Sequence, residues 1–444
     1  MKNAKLKSVR NKLFHSIKKL SGMISLFVQN PEKDFSRNRK LPPETIIKSI
    51  LAMGGGSLAN ELLNCFNCSI ETPSTSAFVQ QRAKIKYNAF ETLFKDFTNA
   101  ASCNRLYKGY RLMAVDGSDI HCPTDKNDDA SFYPGTNGQK PYNLLHLNAI
   151  YDLCENIYVD AIVQKSHDQN EHQAFVTMVD RYTYDTPTIF IGDRGYEAYN
   201  NMAHVQQKGQ FFLFRIKSGS SHCMIKGFDL PNEDEFDLSF DLSLSRKQTA
   251  DMKELYKDKN KYRFLPSKAT FDFLPKTSRK HIQMTPYELN FRIVKFKLTD
   301  DTYEIVATNL DKNQFSPMEL KKLYNMRWGI ETSFRALKYT IGLLHFHSKK
   351  ADFVIQEIFA GLTMYNYSEL IIAHIVIKKK DRKYDYKVNF AVAVHICRKC
   401  FLNNISPPEI EALISRYILP IRPDRKNNRN IAVRKAISFT YRIS

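Results

Sequence analysis

The spacing of apolar residues changes near residue 111, and this change limits most strongly the folds that the chain can adopt. Before it, segments such as PPETIIKSILAMGG repeat apolar residues every three or four positions, which is typical of amphipathic helices. After it, RLMAV, LLHLNAI and IYVDAIV are short apolar or alternating runs, which indicate strands. EHQAFVTMVDRY, TPTIFI, YEAYNNMAHVQQKG and FFLFRI complete the order β-β-β-α-β-α-β. The sequence therefore predicts an α/β fold that begins after a helical region.

Three regions follow from this pattern. Residues 1–105 are predicted to be a helical domain, and residues 106–375 an α/β domain. Within the latter, residues 218–315 are rich in Lys, Asp, Ser and aromatic residues with strand-like pieces such as YELNFRIVKFKL, so they are predicted to form a β-rich insertion. Residues 376–444 are predicted to be helical and basic.

The net charge of +20 is concentrated at the two ends of the chain. Residues 1–50 carry 12 Lys and Arg against 3 acidic residues, and residues 378–444 carry 16 against 5. A nearly neutral centre between basic ends favours a catalytic body with arms that bind a polyanion. Charged ends that are only solvated are the alternative. No apolar run reaches the length of a membrane span, and we expect a cytoplasmic protein.

Residues 1–105 are predicted to be a DNA-binding domain, and they contain one candidate for DNA recognition. In TPSTSAFVQQRAKIKYNAFETLFKDF, Ser and Thr caps lead into a helix that carries Gln81 and Arg82. An amide and a cation on the second helix of a helix-turn-helix pair would contact DNA, so we predict that Gln81 and Arg82 do so. An ordinary helical hairpin explains the same pattern equally well.

Two aspartates are expected at the ends of strands. Asp116 follows the apolar run MAV in VDGSD, where Gly and Ser predict a turn, and Asp193 follows TIFIG in GDRGY. The carboxyl ends of strands in α/β sheets are where ligands and metals collect. We prefer Asp116 to the nearby Asp119 as a metal ligand because Asp116 is expected to terminate the strand.

A predicted helix that begins at Ser316 and Pro317 supplies the third acid. Tyr324, Arg327, Glu331 and Lys338 fall at offsets of 0, 3, 7 and 14 residues, which places them on one narrow stripe. An adjacent apolar stripe would pack on the sheet; it comprises Leu323, Ile330, Phe334, Leu337 and Ile341. Three carboxylates suit two Mg²⁺ ions, which prefer oxygen ligands, and the cations and the phenol would hold DNA phosphates.

The motifs YNMRWGIETSFRALK, VDGSD and GDRGY together resemble those of the DDE transposases of bacterial insertion sequences, in the subgroup with the Tyr-Arg-Glu-Lys signature. The resemblance covers roughly residues 105–375. It implies an RNase H-like mixed β-sheet core in which Asp116, Asp193 and Glu331 are catalytic metal ligands. It also implies two Mg²⁺ ions, with Mn²⁺ able to substitute, and a DNA-contacting cation at Arg215.

The resemblance also implies the reaction and the partners. We expect hydrolysis at the two ends of a mobile DNA element, strand transfer by the freed 3′-hydroxyl, and a homodimer on double-stranded DNA in the nucleoid. The second strand is expected to be cut through a hairpin, with a flipped base stacked on an aromatic ring of the insertion. The candidate rings are Tyr262, Phe264, Phe271, Phe273, Tyr287 and Phe291.

Two rival functions stay open. A structure-specific nuclease with the same core would cut DNA and join nothing. A non-catalytic DNA-binding protein descended from a transposase would do neither, although three retained buried acids argue against it. One further pattern, HDQNEH, contains His167 and Glu171, for which we expect a surface ion pair or a capping role and no metal site.

Overall fold

A computed structural model describes residues 2–37, 40–135, 140–217, 223–276, 285–299, 302–377, 384–403 and 407–422. The α-helices are α1 (Lys2–Gly22), α2 (Pro43–Ala52), α3 (Leu58–Cys65), α4 (Thr75–Arg82), α5 (Asn88–Ala101), α6 (Glu171–Asp180), α7 (Tyr199–Gln207), α8 (Ala250–Leu255), α9 (Pro317–Met326), α10 (Trp328–Ala336), α11 (Ala351–Ile372), α12 (Phe390–Asn403) and α13 (Pro407–Arg416). The strands are β1 (Arg111–Cys122), β2 (Phe132–Tyr133), β3 (Tyr142–Asp152), β4 (Ile157–Lys165), β5 (Thr188–Gly192), β6 (Phe211–Arg215), β7 (Phe236–Ser245), β8 (Tyr262–Phe264), β9 (Tyr287–Thr299), β10 (Thr302–Thr308), β11 (Tyr386–Val388) and β12 (Ile418–Pro420). None of the helices in these ranges is long and apolar enough to span a membrane.

The helices of the N-terminal region begin at the residues that the sequence marks. Pro43 opens α2 at its first position, and the side chains of Ser57 and Ser74 cap α3 and α4 by accepting hydrogen bonds from the backbone N–H groups of Asn60 and Ala77. A serine oxygen at this position satisfies a backbone N–H that has no partner within the helix. The predicted helical character of this region is therefore confirmed in the described residues.

One large mixed sheet forms the centre of the molecule. β1 pairs antiparallel with β3, β3 pairs antiparallel with β4, and β1, β5 and β6 are parallel neighbours. The resulting order β4-β3-β1-β5-β6 is the strand order of an RNase H-like core, so this prediction is confirmed. The parallel strands are buried on both faces, as the continuous apolar run TIFIG predicts.

The β-rich insertion extends this same sheet. β10 pairs antiparallel with β6 at its outer edge, and β9, β7 and β8 continue the order beyond it. The insertion strands thus add to the edge that β6 would otherwise expose, and they share a core with α6 and α7 on one face of the sheet.

The N-terminal helices pack together with α11 and α12 on the opposite face. Residues of α1, α2, α5, α11 and α12 form a single apolar core with side chains of β1, β3 and β4. Helix α11 is buried on all sides, which explains why its sequence is apolar all round. Residues 1–105 therefore share their core with the rest of the chain, while the boundaries at 105 and 375 stay predictions.

Arg82 belongs to this shared core. Its guanidinium donates hydrogen bonds to the side chains of Gln356 (2.7 Å) and Glu357 (2.8 Å) and to the carbonyl of Phe353 (2.6 Å), and the residue is 1% exposed. The prediction that Arg82 contacts DNA is therefore wrong, because acceptors on α11 take its donors inside the protein. The helical pattern of residues 75–82 could not reveal a partner 275 positions away.

Removing Arg82 should destabilise the whole protein. Arg82→Ala would leave Glu357 buried with only His347 beside it, which we expect to cost about 3–5 kcal/mol of unfolding free energy. Arg82 and His347 outweigh burial and lower the pKa of Glu357 to about 2, so this stabilisation is present above the ordinary pKa and is lost as pH falls toward 2.

Urea unfolding at neutral pH measures this effect, with Lys84→Ala as the matched control on the same segment. Lys84 is half-exposed, and its replacement should change the free energy of unfolding by less than about 0.5 kcal/mol. Equal midpoints for the two variants would contradict the structural role given to Arg82.

Candidate active site

Asp116 lies inside β1 and not at its end. The Gly and Ser of VDGSD do not form the predicted turn, because β1 continues to Cys122 through antiparallel pairing with β3, where Asp116 faces Ala149. The expectation of a strand end at Asp116 is thus wrong. The parallel pairing of β1 with β5, however, does stop one residue earlier, at Val115 and Gly192.

Asp193 follows the last residue of β5 directly. It is extended and precedes a short 3₁₀ turn over Arg194–Tyr196. Since Val115 and Gly192 are partners, Asp116 and Asp193 are each the next residue beyond the last parallel rung. Neighbouring strands lie only about 5 Å apart, so the register itself brings the two carboxylates to one place.

Glu331 reaches the same place from α10. The predicted long helix is divided into α9, α10 and a π-helical turn over Leu337–Ile341, which ends at Gly342 with a positive φ of 102°. The five residues of the predicted apolar stripe are all buried: Leu323, Ile330, Phe334, Leu337 and Ile341. With that stripe packed inward, the adjacent stripe that carries Glu331 lies toward Asp116, and Arg327 contacts both acids.

Tyr324 and Arg327 connect this helix to the acids. The Tyr324 hydroxyl donates a 3.0 Å hydrogen bond to Oδ1 of Asp193. Nη2 of Arg327 donates to Oε1 of Glu331 at 2.8 Å, and its Nη1 lies 3.8 Å from Oδ2 of Asp116. The structure therefore brings together all three predicted acids and two of the three predicted phosphate-binding residues of the stripe.

Arg215, at the end of β6, approaches from the other side. Its Nη1 lies 3.7 Å from Oδ1 of Asp193, and its Nη2 lies 3.1 Å from Oε1 of Glu304 on β10. Sequence reasoning missed Glu304, because in the alternating run TYEIVAT it looks like any strand residue. Its placement depends on β10 pairing with β6, which puts Val306 opposite Arg215.

Lys338 lies further along the helix, in the π-helical turn. Burial lowers the pKa of the Lys338 ammonium group, and the negative charge of Asp119 partly opposes this effect. Asp119 also carries a 2.7 Å contact to Nδ1 of His146. Lys338 therefore lies near Asp119, three residues beyond Asp116 on β1, and not beside the three acids.

His146 and Glu171 form a neighbouring cluster that the sequence did not reveal. Nε2 of His146 lies 3.0 Å from Oε1 of Glu171, so Glu171 makes an ion pair, and its partner comes from β3 and not from HDQNEH. Burial would lower the pKa of His146, but Asp119 and Glu171 outweigh it and raise the pKa to about 9. The ring stands over Gly117, where an added Cβ would lie 2.4 Å from Nε2. Only glycine fits there.

This cluster supports the preference for Asp116 over Asp119. Successive side chains of a strand alternate between its faces, so residues three apart lie on opposite faces. Asp119 lies on the same face of β1 as Gly117, and it pairs across the sheet with His146. Asp116 lies on the other face, on which α10 packs.

The three acids influence one another electrostatically. The pKa of Asp116 is raised to about 6: burial is the largest cause and Glu331 and Asp193 add to it, while the Gly117 N–H and Arg327 oppose them. Burial would also raise the pKa of Asp193, but the Arg194 N–H, Arg327, Tyr324 and Arg215 lower it below its usual value. Crowded, partly desolvated carboxylates of this kind suit a divalent cation.

The residues present fit a metal ion in their chemistry. Asp116, Asp193 and Glu331 are all half-exposed oxygen donors. As the side chains stand, no three His, Cys, Asp or Glu groups of the described residues converge on a metal position. The guanidinium of Arg327 is the cation that contacts two of the acids here.

The candidate rings of the insertion pack mainly against one another and against the core. Phe271 and Phe291 are buried, and Phe273 and Tyr287 contact each other with ring centroids 5.2 Å apart. Phe273 also packs on His204, at 4.6 Å. The hairpin route and its stacking ring stay predictions.

The strand order β4-β3-β1-β5-β6, with Asp116 and Asp193 just beyond the last parallel rung of β1 and β5, defines an RNase H-like fold. The family profile described as "Transposase DDE domain" matches residues 107–367, which is more than half of the chain. The protein therefore belongs to the DDE transposase family and is a DNA transposase. The matched segment contains Asp116, Asp193 and Glu331. The bacterial insertion-sequence subgroup stays a prediction.

A cryo-EM structure of the piggyBac transposase synaptic complex with hairpin DNA is similar to this chain with a TM-score of 0.46 and 10% sequence identity, over 95% of this chain and 88% of that chain. No curated protein matches the sequence.

Proposed function

We propose that this transposase binds the ends of a mobile DNA element, cleaves them by metal-dependent phosphodiester hydrolysis and transfers the 3′-hydroxyl ends into target DNA. One observation carries the proposal: acids from three separate parts of the chain meet, since Asp116 and Asp193 follow paired residues of β1 and β5 and Arg327 contacts both Asp116 and Glu331. The register of β1 and β5 and the buried face of α10 both lead to this arrangement.

Each residue of the site has a role in the proposal. Asp116, Asp193 and Glu331 would hold two Mg²⁺ ions, or Mn²⁺ as substitutes. When bound, such ions activate the attacking hydroxyl and neutralise the leaving oxygen. Tyr324 and Arg215 keep Asp193 in position and, with Arg327 and Lys338, would hold the phosphates of the DNA strand beside the acids.

Double-stranded DNA, as element end and as target, is the proposed partner. The basic N-terminal residues include those of α1, which presents lysines such as Lys7, Lys12 and Lys18. We further propose a homodimer on DNA, because a mobile element has two ends and each chain offers one triad. The single triad also favours successive cuts of the two strands at one site.

A basic cavity beside α4 is the proposed contact of the N-terminal region with DNA. It has a volume of about 570 Å³, and Lys33, Phe35, Arg37, Gln81 and Lys84 are among its lining residues. Nζ of Lys84 donates to the Gln81 side chain at 2.9 Å and lies 5.5 Å from the centre of the Phe35 ring. Gln81 thus keeps its predicted role in this proposal, and Lys84 and Arg37 take the place of Arg82.

Replacing a triad residue should abolish cleavage and leave DNA binding intact. We expect Asp116→Asn, Asp193→Asn and Glu331→Gln each to lower the cleavage rate by about 100-fold or more, because even the loss of an outer partner of a metal ligand costs 10–100-fold. Affinity for the element end should change little, since it depends on the basic surface. Asp119→Asn is the matched control, and it should cleave within about 10-fold of the unchanged protein.

An end-labelled duplex in Mg²⁺ with a target plasmid measures cleavage and joining together. A triad variant that cleaves at the unchanged rate would remove that residue from the metal site. Cleaved but never joined ends would instead indicate the structure-specific nuclease, and binding with neither product would indicate a non-catalytic descendant.

Changes in the cavity beside α4 should weaken binding. We expect the double substitution Arg37→Ala and Lys84→Ala to lower affinity for the element end by about 10-fold at moderate salt and to reduce its salt dependence, because two phosphate-neutralising cations are lost. Gln81→Ala should reduce the preference for the end over random DNA.

Fluorescence anisotropy with labelled DNA measures these affinities. The full chain is used, because residues 1–105 share their core with α11 and α12. Lys253→Ala with Lys257→Ala is the matched control, which removes two cations from the region around α8 in the insertion. Equal losses in the two double variants would mean that the cavity has no special part in DNA binding.

A further inference from the structure

Arg327 is held among the acids as an internal cation. It is 3% exposed, and it contacts Oε1 of Glu331 at 2.8 Å and Oδ2 of Asp116 at 3.8 Å. The guanidinium also lies 5.5 Å from the ring centre of Tyr324 and 5.4 Å from that of Trp328. Two acids of the triad are thus already partly neutralised by the protein itself.

A guanidinium in this position competes with a metal ion. Oε1 of Glu331 cannot accept the 2.8 Å hydrogen bond from Arg327 and at the same time direct the same electron pair to a metal. Like charges a few ångströms apart in a half-buried site also repel strongly. Arg215 differs, since its closer acid is Glu304 at 3.1 Å and its contact to Asp193 is 3.7 Å, so it can stay when a cation binds.

Arg327 also has the features of a side chain that changes partners. It lies at the break between α9 and α10, where its N–H bonds to the Tyr324 carbonyl and its own carbonyl accepts from the Ile330 N–H, both three residues apart. Such tight turns inside a helix often mark a hinge. Its Nε–H is buried, and no acceptor in the described part of the chain meets it. A phosphate oxygen would satisfy this donor.

We propose that Arg327 is the counter-ion of the triad before DNA binds, and that it exchanges Glu331 for a DNA phosphate when the element end enters the site. The exchange frees Glu331 for a metal ion, so the protein loads metal in response to DNA. This inference rests on the proposed metal-binding role of the triad. By linkage, metal ions and DNA then strengthen each other's binding by the same factor.

Manganese binding to the full chain tests the proposal without any turnover. The signal of free Mn²⁺ in electron paramagnetic resonance gives the affinity, alone and with a duplex that already ends at the cleavage position. For the unchanged protein we expect the duplex to tighten Mn²⁺ binding about 10-fold, which is within the usual range of coupling between sites. For Arg327→Ala we expect Mn²⁺ to bind about 10-fold more tightly without DNA, and the duplex to add nothing.

Three variants make the result decisive. Arg335→Ala removes an exposed arginine of the same helix and should behave as the unchanged protein. Arg327→Gln keeps the size without the charge and should reproduce Arg327→Ala, which covers the case in which the alanine variant does not fold. Glu331→Gln should lose Mn²⁺ affinity with and without DNA.

The outcomes separate the two claims. If Glu331→Gln loses affinity but the Arg327 variants bind Mn²⁺ as the unchanged protein does, the counter-ion role is wrong and the metal site stands. If Glu331→Gln binds Mn²⁺ normally, the proposed metal site itself is wrong. Weaker Mn²⁺ binding by both Arg327 variants would also overturn the counter-ion role, because it would make Arg327 a support of the site.

Discussion

Mutual repulsion among three carboxylates is the constraint on which the rest of this site depends. Asp116, Asp193 and Glu331 lie in a half-buried position where burial and their own charges raise the pKa of Asp116 to about 6. Such an arrangement persists only if cations and donors hold it together. Arg327 and Arg215 supply the positive charge, and Tyr324 and backbone N–H groups supply hydrogen bonds. The three carboxylates therefore need nearby positive charge, which the arginines supply in this structure.

The surrounding fold supplies the rigidity that this arrangement needs. Parallel pairing of β1 with β5 fixes the two aspartates side by side, while antiparallel pairing with β3 carries β1 past Asp116 and stiffens it. Helix α11, buried on every side, ties the N-terminal helices and α12 to the sheet. Through Arg82 and Glu357 this helix also fixes α4. The proposed DNA-binding cavity and the triad are therefore parts of one packed body.

Local patterns in the sequence were sufficient for much of this description. The change of period near residue 111 predicted the order of strands and helices, and the register of Tyr324, Arg327 and Glu331 predicted the face of the helix that meets the two aspartates. Both patterns are local, because each depends only on the spacing of residues that are close in sequence. The Gly117–Ser118 pair wrongly predicted a turn, because Gly117 is needed for another reason: the ring of His146 occupies the space that a side chain at Gly117 would fill.

Contacts between distant parts of the chain lay beyond such reasoning. Arg82 looks like a solvent-facing cation in its own helix, and only the packing of α4 on α11 shows that Glu357 neutralises it. Glu171 has two histidines nearby in sequence and pairs with His146 of β3 instead. In the same way, Glu304 acquires its contact with Arg215 only when β10 adds to the edge of β6. Pairings of this kind follow from the topology and not from periodicity.

We propose that Asp116, Asp193 and Glu331 together bind metal where the DNA strand is cut. Anomalous diffraction from crystals of the full chain with its element end and Mn²⁺ tests this most directly. We expect manganese peaks bonded to oxygens of all three carboxylates, about 3.5–4 Å apart if two ions bind. The same crystals of Glu331→Gln should lose a peak. Two results would contradict this metal-binding role. In one, the scissile phosphate lies beside the three carboxylates but they hold no manganese. In the other, Asp119 and Glu171 hold the manganese instead.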